Sequence, residues 1–174
     1  MNCNSPEAKK EVATETSEKK EMVEEVEAPK VNTDSLVATI DAQRKAIEQS
    51  LTEPVVLSTD SLREKVKQKW SKIHYYALDG EVVRIKTYPH EGISTRTEEY
   101  YTSNGQLALV VIEDNGNSER GKAKENIDKL YYFNDGELIE EVRDNEEEEY
   151  SLRKSDGEEL LAEFKEYMDL FPNK

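Results

Sequence analysis

The order of apolar and polar positions divides the chain into three regimes. Across residues 1–30 apolar positions are sparse and isolated, and the segment holds eight Glu, five Lys and no aromatic residue. Such a stretch buries too little surface to offset its ordering entropy and reads as a disordered tether. From residue 34 the spacing turns helical, with Leu36, Ile40, Ile47 and Leu51 at four- and seven-residue steps and Val37 alongside. This predicts a helix over 34–52, capped by Asp34 or Ser35 and followed by Pro54. Leu62, Val66, Trp70 and Ile73 predict a second helix over 60–71, capped by Thr59 or Asp60. Its opposite face carries Arg63, Lys65, Lys67, Lys69 and Lys72, a concentrated basic patch.

Beyond residue 73 the period shortens to two. Strands are predicted over 73–78, 82–88, 97–102, 107–113, 129–133, 138–143 and 148–153. The run Leu107-Ala108-Leu109-Val110-Val111-Ile112 is apolar on both faces and marks a central strand. Leu160, Leu161, Phe164, Tyr167, Met168 and Phe171 give a broad apolar face to a last helix over 157–170, after Asp156-Gly157 and before Pro172. The expected fold class is α+β: N-terminal helices, an antiparallel β-meander of six or seven strands over about 73–153, and a C-terminal helix. Residues 31–174 then form a single domain. Two helices are expected on one face of the sheet, leaving the other open to a ligand or partner.

Within the alternating region one pattern occurs three times. Tyr75-Tyr76-Ala77-Leu78-Asp79-Gly80-Glu81-Val82, Tyr100-Tyr101-Thr102-Ser103-Asn104-Gly105-Gln106-Leu107 and Tyr131-Tyr132-Phe133-Asn134-Asp135-Gly136-Glu137-Leu138 share Tyr-Tyr-x-x-[Asp/Asn]-Gly-[Glu/Gln]-[Val/Leu]. Asp-Gly and Asn-Gly accept positive φ at both central positions of a type I′ turn, whose twist suits the flanking strands. Successive tyrosines on a strand point to opposite faces. Each copy is therefore a β-hairpin carrying one ring on each side of the sheet. Over residues 73–143 the pattern resembles the variant MORN-type repeats of small bacterial proteins, some of which carry an antitoxin label. The copies start 25 and 31 residues apart and lack the Gly that ends each repeat's second strand in the standard form. The resemblance accordingly implies hairpin architecture and no functional residue.

Charge narrows the functional classes. Acidic residues number 39 against 24 basic, a net charge of −15. A stand-alone nucleic-acid binder would instead show a basic footprint, so nucleic acid is not expected as a partner. No run approaches the ~18 apolar residues that span a bilayer. Residues 134–164 hold thirteen acidic and three basic residues, including Glu146, Glu147, Glu148 and Glu149 in succession. A solvated, charge-blunted edge accounts for such a run, and an acidic face for a cationic protein partner is its functional reading. The candidate partner-binding residues are Tyr76, Tyr101 and Tyr132 together with Glu146–Glu149.

Specific chemistry finds little support. Gly116-Asn117-Ser118-Glu119-Arg120-Gly121-Lys122-Ala123 approaches a phosphate-binding loop, but Ala123 replaces the magnesium-holding hydroxyl and Glu119 puts a carboxylate in the cradle. Asp114, Asn117 and Glu119 do not follow EF-hand spacing. His74 and His90 have no partner at metal or nucleophile–base spacing. No catalytic residue, metal or cofactor is expected, and the chain does not read as an enzyme.

The single cysteine, Cys3, excludes an intramolecular disulfide. Followed by Asn4-Ser5-Pro6 and a polar stretch, it resembles the start of a mature bacterial lipoprotein. That resemblance implies lipid attachment at Cys3 and a place at the bacterial cell envelope. The alternative is an incidental exposed thiol on a cytoplasmic protein. The expected function is a non-enzymatic accessory or binding protein, membrane-tethered through Cys3. The other readings are a cytoplasmic antitoxin-like or immunity-like protein binding a basic partner, and a small-ligand carrier using the sheet face.

Overall fold

The chain divides into two units, residues 1–30 and 31–174. The computed structural model describes residues 32–114, 127–143 and 154–172, all within the second unit. They form α1 (Thr33–Ser50), β1 (Val55–Ser58), a 3-10 turn (Thr59–Ser61), α2 (Glu64–Lys69), β2 (Lys72–Leu78), β3 (Glu81–Tyr88), β4 (Arg96–Ser103), β5 (Gln106–Asp114), β6 (Ile127–Asn134), β7 (Glu137–Arg143) and α3 (Lys154–Leu170). The seven strands lie in sequence order as one antiparallel meander. The class is α+β, as the alternation and turn signals predict.

The three Tyr-Tyr copies form the three tight hairpins β2–β3, β4–β5 and β6–β7. Both central residues of every turn have positive φ: 52° and 87° at Asp79-Gly80, 52° and 74° at Asn104-Gly105, 51° and 79° at Asp135-Gly136. These are type I′ turns. Each hairpin also carries a β-bulge at the same place. Tyr76 faces Arg84 while Ala77 faces Val82, which leaves Val83 as an extra residue. The same shift leaves Ala108 extra between Tyr101–Leu109 and Thr102–Leu107, and Ile139 extra between Tyr132–Glu140 and Phe133–Leu138. A bulge flips the side-chain phase along its strand. On β5, Leu107, Val110 and Ile112 therefore join the core on one face, and Ala108, Leu109 and Val111 join the core on the other.

Two helices lie on one face, as expected, but the other face is not left open, because α1 covers part of it. α2 and α3 cover one face, burying Val66, Leu160, Phe164 and Tyr167 against Tyr75, Ile85, Tyr100, Val110 and Tyr131. α1 lies on the other face, over β6 and β7, with Val37, Ile40 and Ile47 against Tyr101, Leu109, Val111 and Tyr132. The bulge phase supplies the reason, because β5 presents apolar side chains to both sides and each side needs cover.

Four further differences have local causes. β1, over residues to which the sequence pattern assigns no element, is a strand because it pairs with β2 from Val55↔Tyr75 to Ser58↔Lys72. The helix expected over 60–71 is interrupted, since Leu62 and Arg63 are extended (ψ 146° and 152°) and α2 begins only at Glu64. The Thr59 hydroxyl caps nothing and donates instead to the Ser71 carbonyl at 2.8 Å. α1 is capped by Asn32, whose side chain accepts from the Asp34 amide at 3.1 Å. α3 begins at Lys154 and contains Gly157, because the helix comes so close to β7 that a Cβ on Gly157 would stand 2.8 Å from the Leu138 Cβ. The strand expected over 148–153 lies outside the described residues.

Candidate binding surfaces

The hairpin repeat decides where each tyrosine goes. Tyr75, Tyr100 and Tyr131 point to the α2/α3 face, and Tyr101 and Tyr132 point to the α1 face. The register aligns Tyr76, Arg84, Tyr101, Leu109, Tyr132 and Glu140 in one cross-strand row on that second face. The three predicted partner-binding tyrosines are thus brought into line, but α1 covers two of them. Tyr101 is 2% and Tyr132 3% exposed, and Tyr76 remains half-buried. Cys3, Glu146–Glu149 and the loop 116–123 lie outside the described residues.

Adjacent glutamates on β4 project to opposite faces, and each is neutralised there. Glu98 is fully buried and accepts from Arg96 Nη2 at 2.6 Å and from the Tyr100 hydroxyl at 2.7 Å. Lys69 bridges Glu98 and Glu163, and Glu163 also lies 3.0 Å from the Tyr100 hydroxyl. Glu99 pairs with Lys86 at 2.6 Å and Arg84 at 2.7 Å, and the Tyr101 hydroxyl donates to it at 2.6 Å. Burial opposes the Glu99 charge, but the Lys86 and Tyr101 hydrogen bonds and the Arg84 cation outweigh it and hold the carboxyl below its ordinary value. On α1, Glu48 sits 2.9 Å from the Tyr101 hydroxyl and pairs with Arg44 at 3.1 Å.

Where α1 does not reach, the same face carries cations and rings. Lys72↔Tyr88, His74↔Lys86 and Tyr76↔Arg84 are direct cross-strand partners on β2 and β3. Lys72 Nζ lies 4.7 Å and Lys86 Nζ 5.7 Å from the Tyr88 ring centre, and Arg84 lies 5.1 Å from that of Tyr76. The His74 ring is 4.5 Å from Tyr88. Of this cluster the predicted basic helix face holds Lys72 alone, and the structure places that residue on β2 and not beside α2. The cluster's signal is period two, with Lys72, His74 and Tyr76 on one strand and Arg84, Lys86 and Tyr88 on the next. The basic patch that was predicted is less free: Arg63 and Lys65 pair with Glu166, and Lys69 with Glu163.

A groove runs along α3 at the hairpin-turn end of the sheet. Three adjoining cavities of about 390, 440 and 460 Å³ follow one another, the first two sharing Gly136 and Leu161, the last two Gly105 and Met168. The helix contributes Leu161, Phe164 and Met168, on one face at helical spacing, Phe171 follows just past its end, and the hairpins contribute Ala77, Val82, Leu107 and Leu138. Glu81, Asp135, Glu137, Glu158 and Asp169 line its rim against Lys154 and Lys165. From Lys154 to Phe171 the groove is ~25 Å long at the helical rise.

No catalytic constellation assembles at either surface. His90 Nε2 lies 2.8 Å from the Lys67 carbonyl oxygen and packs the β3–β4 loop against α2. Among the described residues no group of three or more His, Cys, Asp or Glu side chains is placed to hold a metal ion, and no helix is long and apolar enough to cross a membrane. The arrangement defines an α+β protein with two chemically opposite surfaces, an apolar groove rimmed by acid and a cationic aromatic patch. Compared with known protein families, curated proteins and solved structures, the chain matches none.

Proposed function

We propose that this is a non-catalytic binding protein whose recognition element is the groove along α3, and that its partner offers an apolar segment bearing Lys or Arg. The supporting observation is the groove itself: three adjoining cavities with apolar side chains from α3 and from hairpins fixed by type I′ turns, and with five acidic and two basic residues around them. Apolar side chains entering the groove supply affinity, and the acidic rim supplies orientation and rejects anionic segments. A groove of ~25 Å accommodates about seven residues of extended chain. Each cavity also has the volume of a small-molecule pocket, the property that supports the carrier alternative.

In this reading Cys3 carries a lipid and residues 1–30 tether the domain to the bacterial cell envelope. The alternative is an antitoxin-like or immunity-like protein in the cytoplasm, using the same groove on a basic partner. Palmitate labelling at Cys3 supports the tether, and an unmodified cytoplasmic protein leaves the alternative. The groove is tested by fluorescence anisotropy with short peptides that alternate Leu or Phe with Lys. The triple variant Glu137→Lys, Glu158→Lys, Asp169→Lys alters only exposed side chains. It should weaken binding at least about tenfold, from several exposed charge contacts each worth ~0.2–1 kcal/mol. Equal binding of acidic peptides, or no effect of the triple variant, refutes the proposal.

A further inference from the structure

We propose that the part of the sheet α1 leaves uncovered is a phosphate-binding site, in which Lys72, Lys86 and His74 surround Tyr88. The four residues form a two-by-two patch on β2 and β3, the lysines on one diagonal and the two rings on the other. Both ammonium groups lie within 6 Å of the same ring centre, at 4.7 and 5.7 Å, so one oxyanion above Tyr88 is within reach of both flexible stems.

Charge selects the ligand. Lys72, Arg84 and Lys86 bring three positive charges, and Glu99 removes one through its pairs with Arg84 and Lys86. Among the described residues Lys72 has no carboxylate partner. The excess of two matches a phosphate monoester, which carries about −1.5 to −2 at pH 7, better than it matches a single carboxylate. On a chain of net charge −15 such a local excess stands out. Two buried nitrogens at the patch, His74 Nδ1 and Arg84 Nε, make no hydrogen bond in the structure. In the imidazolium form both ring nitrogens donate, so a small turn of the His74 ring would offer one to a phosphate oxygen. The histidine also senses the field around it: burial, then Lys72, Lys86 and Arg84, hold its pKa below the ordinary value. The other groups facing this surface are Tyr76 and Tyr88 from the sheet and the Arg44–Glu48 pair from α1, which is engaged with Tyr101.

The chain has two histidines, which makes NMR titration the direct test. Inorganic phosphate, compared with chloride at equal ionic strength, should raise the His74 pKa saturably by about half a unit or more, since an anion nearby favours imidazolium. His90, held by the Lys67 carbonyl, is the internal control. Lys72→Gln changes an exposed side chain and should weaken phosphate binding about tenfold, the loss of one charge-assisted contact. Flotation with phosphatidylcholine vesicles separates the sources of the phosphate. Binding that needs both added phosphatidic acid and Lys72 assigns a lipid headgroup, and saturation by free phosphate without flotation assigns a small phosphate ester. If chloride moves His74 as far as phosphate does, or Lys72→Gln leaves the phosphate response unchanged, the site does not exist.

Discussion

Gly157 sits inside α3, where glycine normally costs about 1 kcal/mol relative to alanine. Substituting alanine should therefore stabilise the helix, yet the packing predicts the reverse. The new Cβ would lie 2.8 Å from the Leu138 Cβ, well inside van der Waals contact. Both atoms are fixed directly to backbone, so no rotamer change relieves the overlap and the helix must lift from β7. Overpacking of this kind costs ~1–3 kcal/mol. Set against the gain in propensity, Gly157→Ala should lose about 1 kcal/mol, which for a chain of this size lowers Tm by roughly 2–4 °C. The Leu138→Gly background removes the atom that is struck, and there Gly157→Ala should become neutral or stabilising by up to about 1 kcal/mol. Urea unfolding followed by circular dichroism measures all four corners of this cycle. A higher stability of Gly157→Ala in the otherwise unaltered chain would refute the argument. It would mean that α3 lies farther from β7, and the end of the groove they line together would be wider.

The same chemistry of contact and charge yields three more expectations. Tyr100→Phe removes the hydroxyl between Glu98 and Glu163 and leaves a buried carboxylate short of a donor. It should cost about 1–3 kcal/mol by urea unfolding, and a loss below 0.5 kcal/mol would contradict it. Burial, followed by the Glu141 charge for Tyr131 and the Asp41 hydrogen bond for Tyr132, pushes both phenols up to about 12, and burial likewise raises Tyr75, Tyr100, Tyr101 and Tyr167. Phenols that stay protonated when folded stabilise the fold fully below pH ~10, and that stability falls as pH rises toward and through 12, by about 1.4 kcal/mol per pH unit for each. Tyrosinate absorbance should then rise cooperatively with loss of circular dichroism; ionisation with the fold intact would disprove it. Finally, Ile40 is the one buried residue of α1, so Ile40→Ala should cost ~2–5 kcal/mol of docking, visible as faster amide exchange confined to α1 and the strands beneath it.

The hairpins were legible because their turns demand particular residues: Asp-Gly and Asn-Gly are among the few pairs that take two positive φ values cheaply, and the paired tyrosines mark the entering strand. The bulges were not, since Val83, Ala108 and Ile139 are ordinary strand residues whose extra place appears only in the register. That hidden phase shift also decides where the helices dock. The run Leu107–Ile112 announced burial on both faces, but a single cover was expected where the structure has two. β1 is four residues long, too short for periodicity, and exists through its pairing with β2. Alternation puts the two rings of each pair on opposite faces, but the burial of Tyr101 and Tyr132 depends on where α1 docks, which no local pattern states. The cationic patch was present as two period-two triplets. The triplets come together only when turn and bulge set the register between their strands.

The two surfaces also bear on each other. The groove occupies the α2/α3 face at the hairpin turns, and the cationic patch occupies the opposite face toward the far ends of β2 and β3. Along β2, Lys72 and the Asp79-Gly80 turn are separated by about seven residues of strand, ~24 Å, against a Debye length of about 8 Å at physiological salt. Charges so separated do not sense one another, so an acidic rim and a cationic patch persist side by side without cancelling. β4 keeps them apart mechanically as well. Glu98 ties the sheet to Lys69 beside α3, and Glu99 with Tyr101 ties it to Glu48 of α1. The strand thus anchors both helical layers. A basic partner in the groove and a phosphate-bearing ligand on the patch would bind without competing, and one domain could hold both at once.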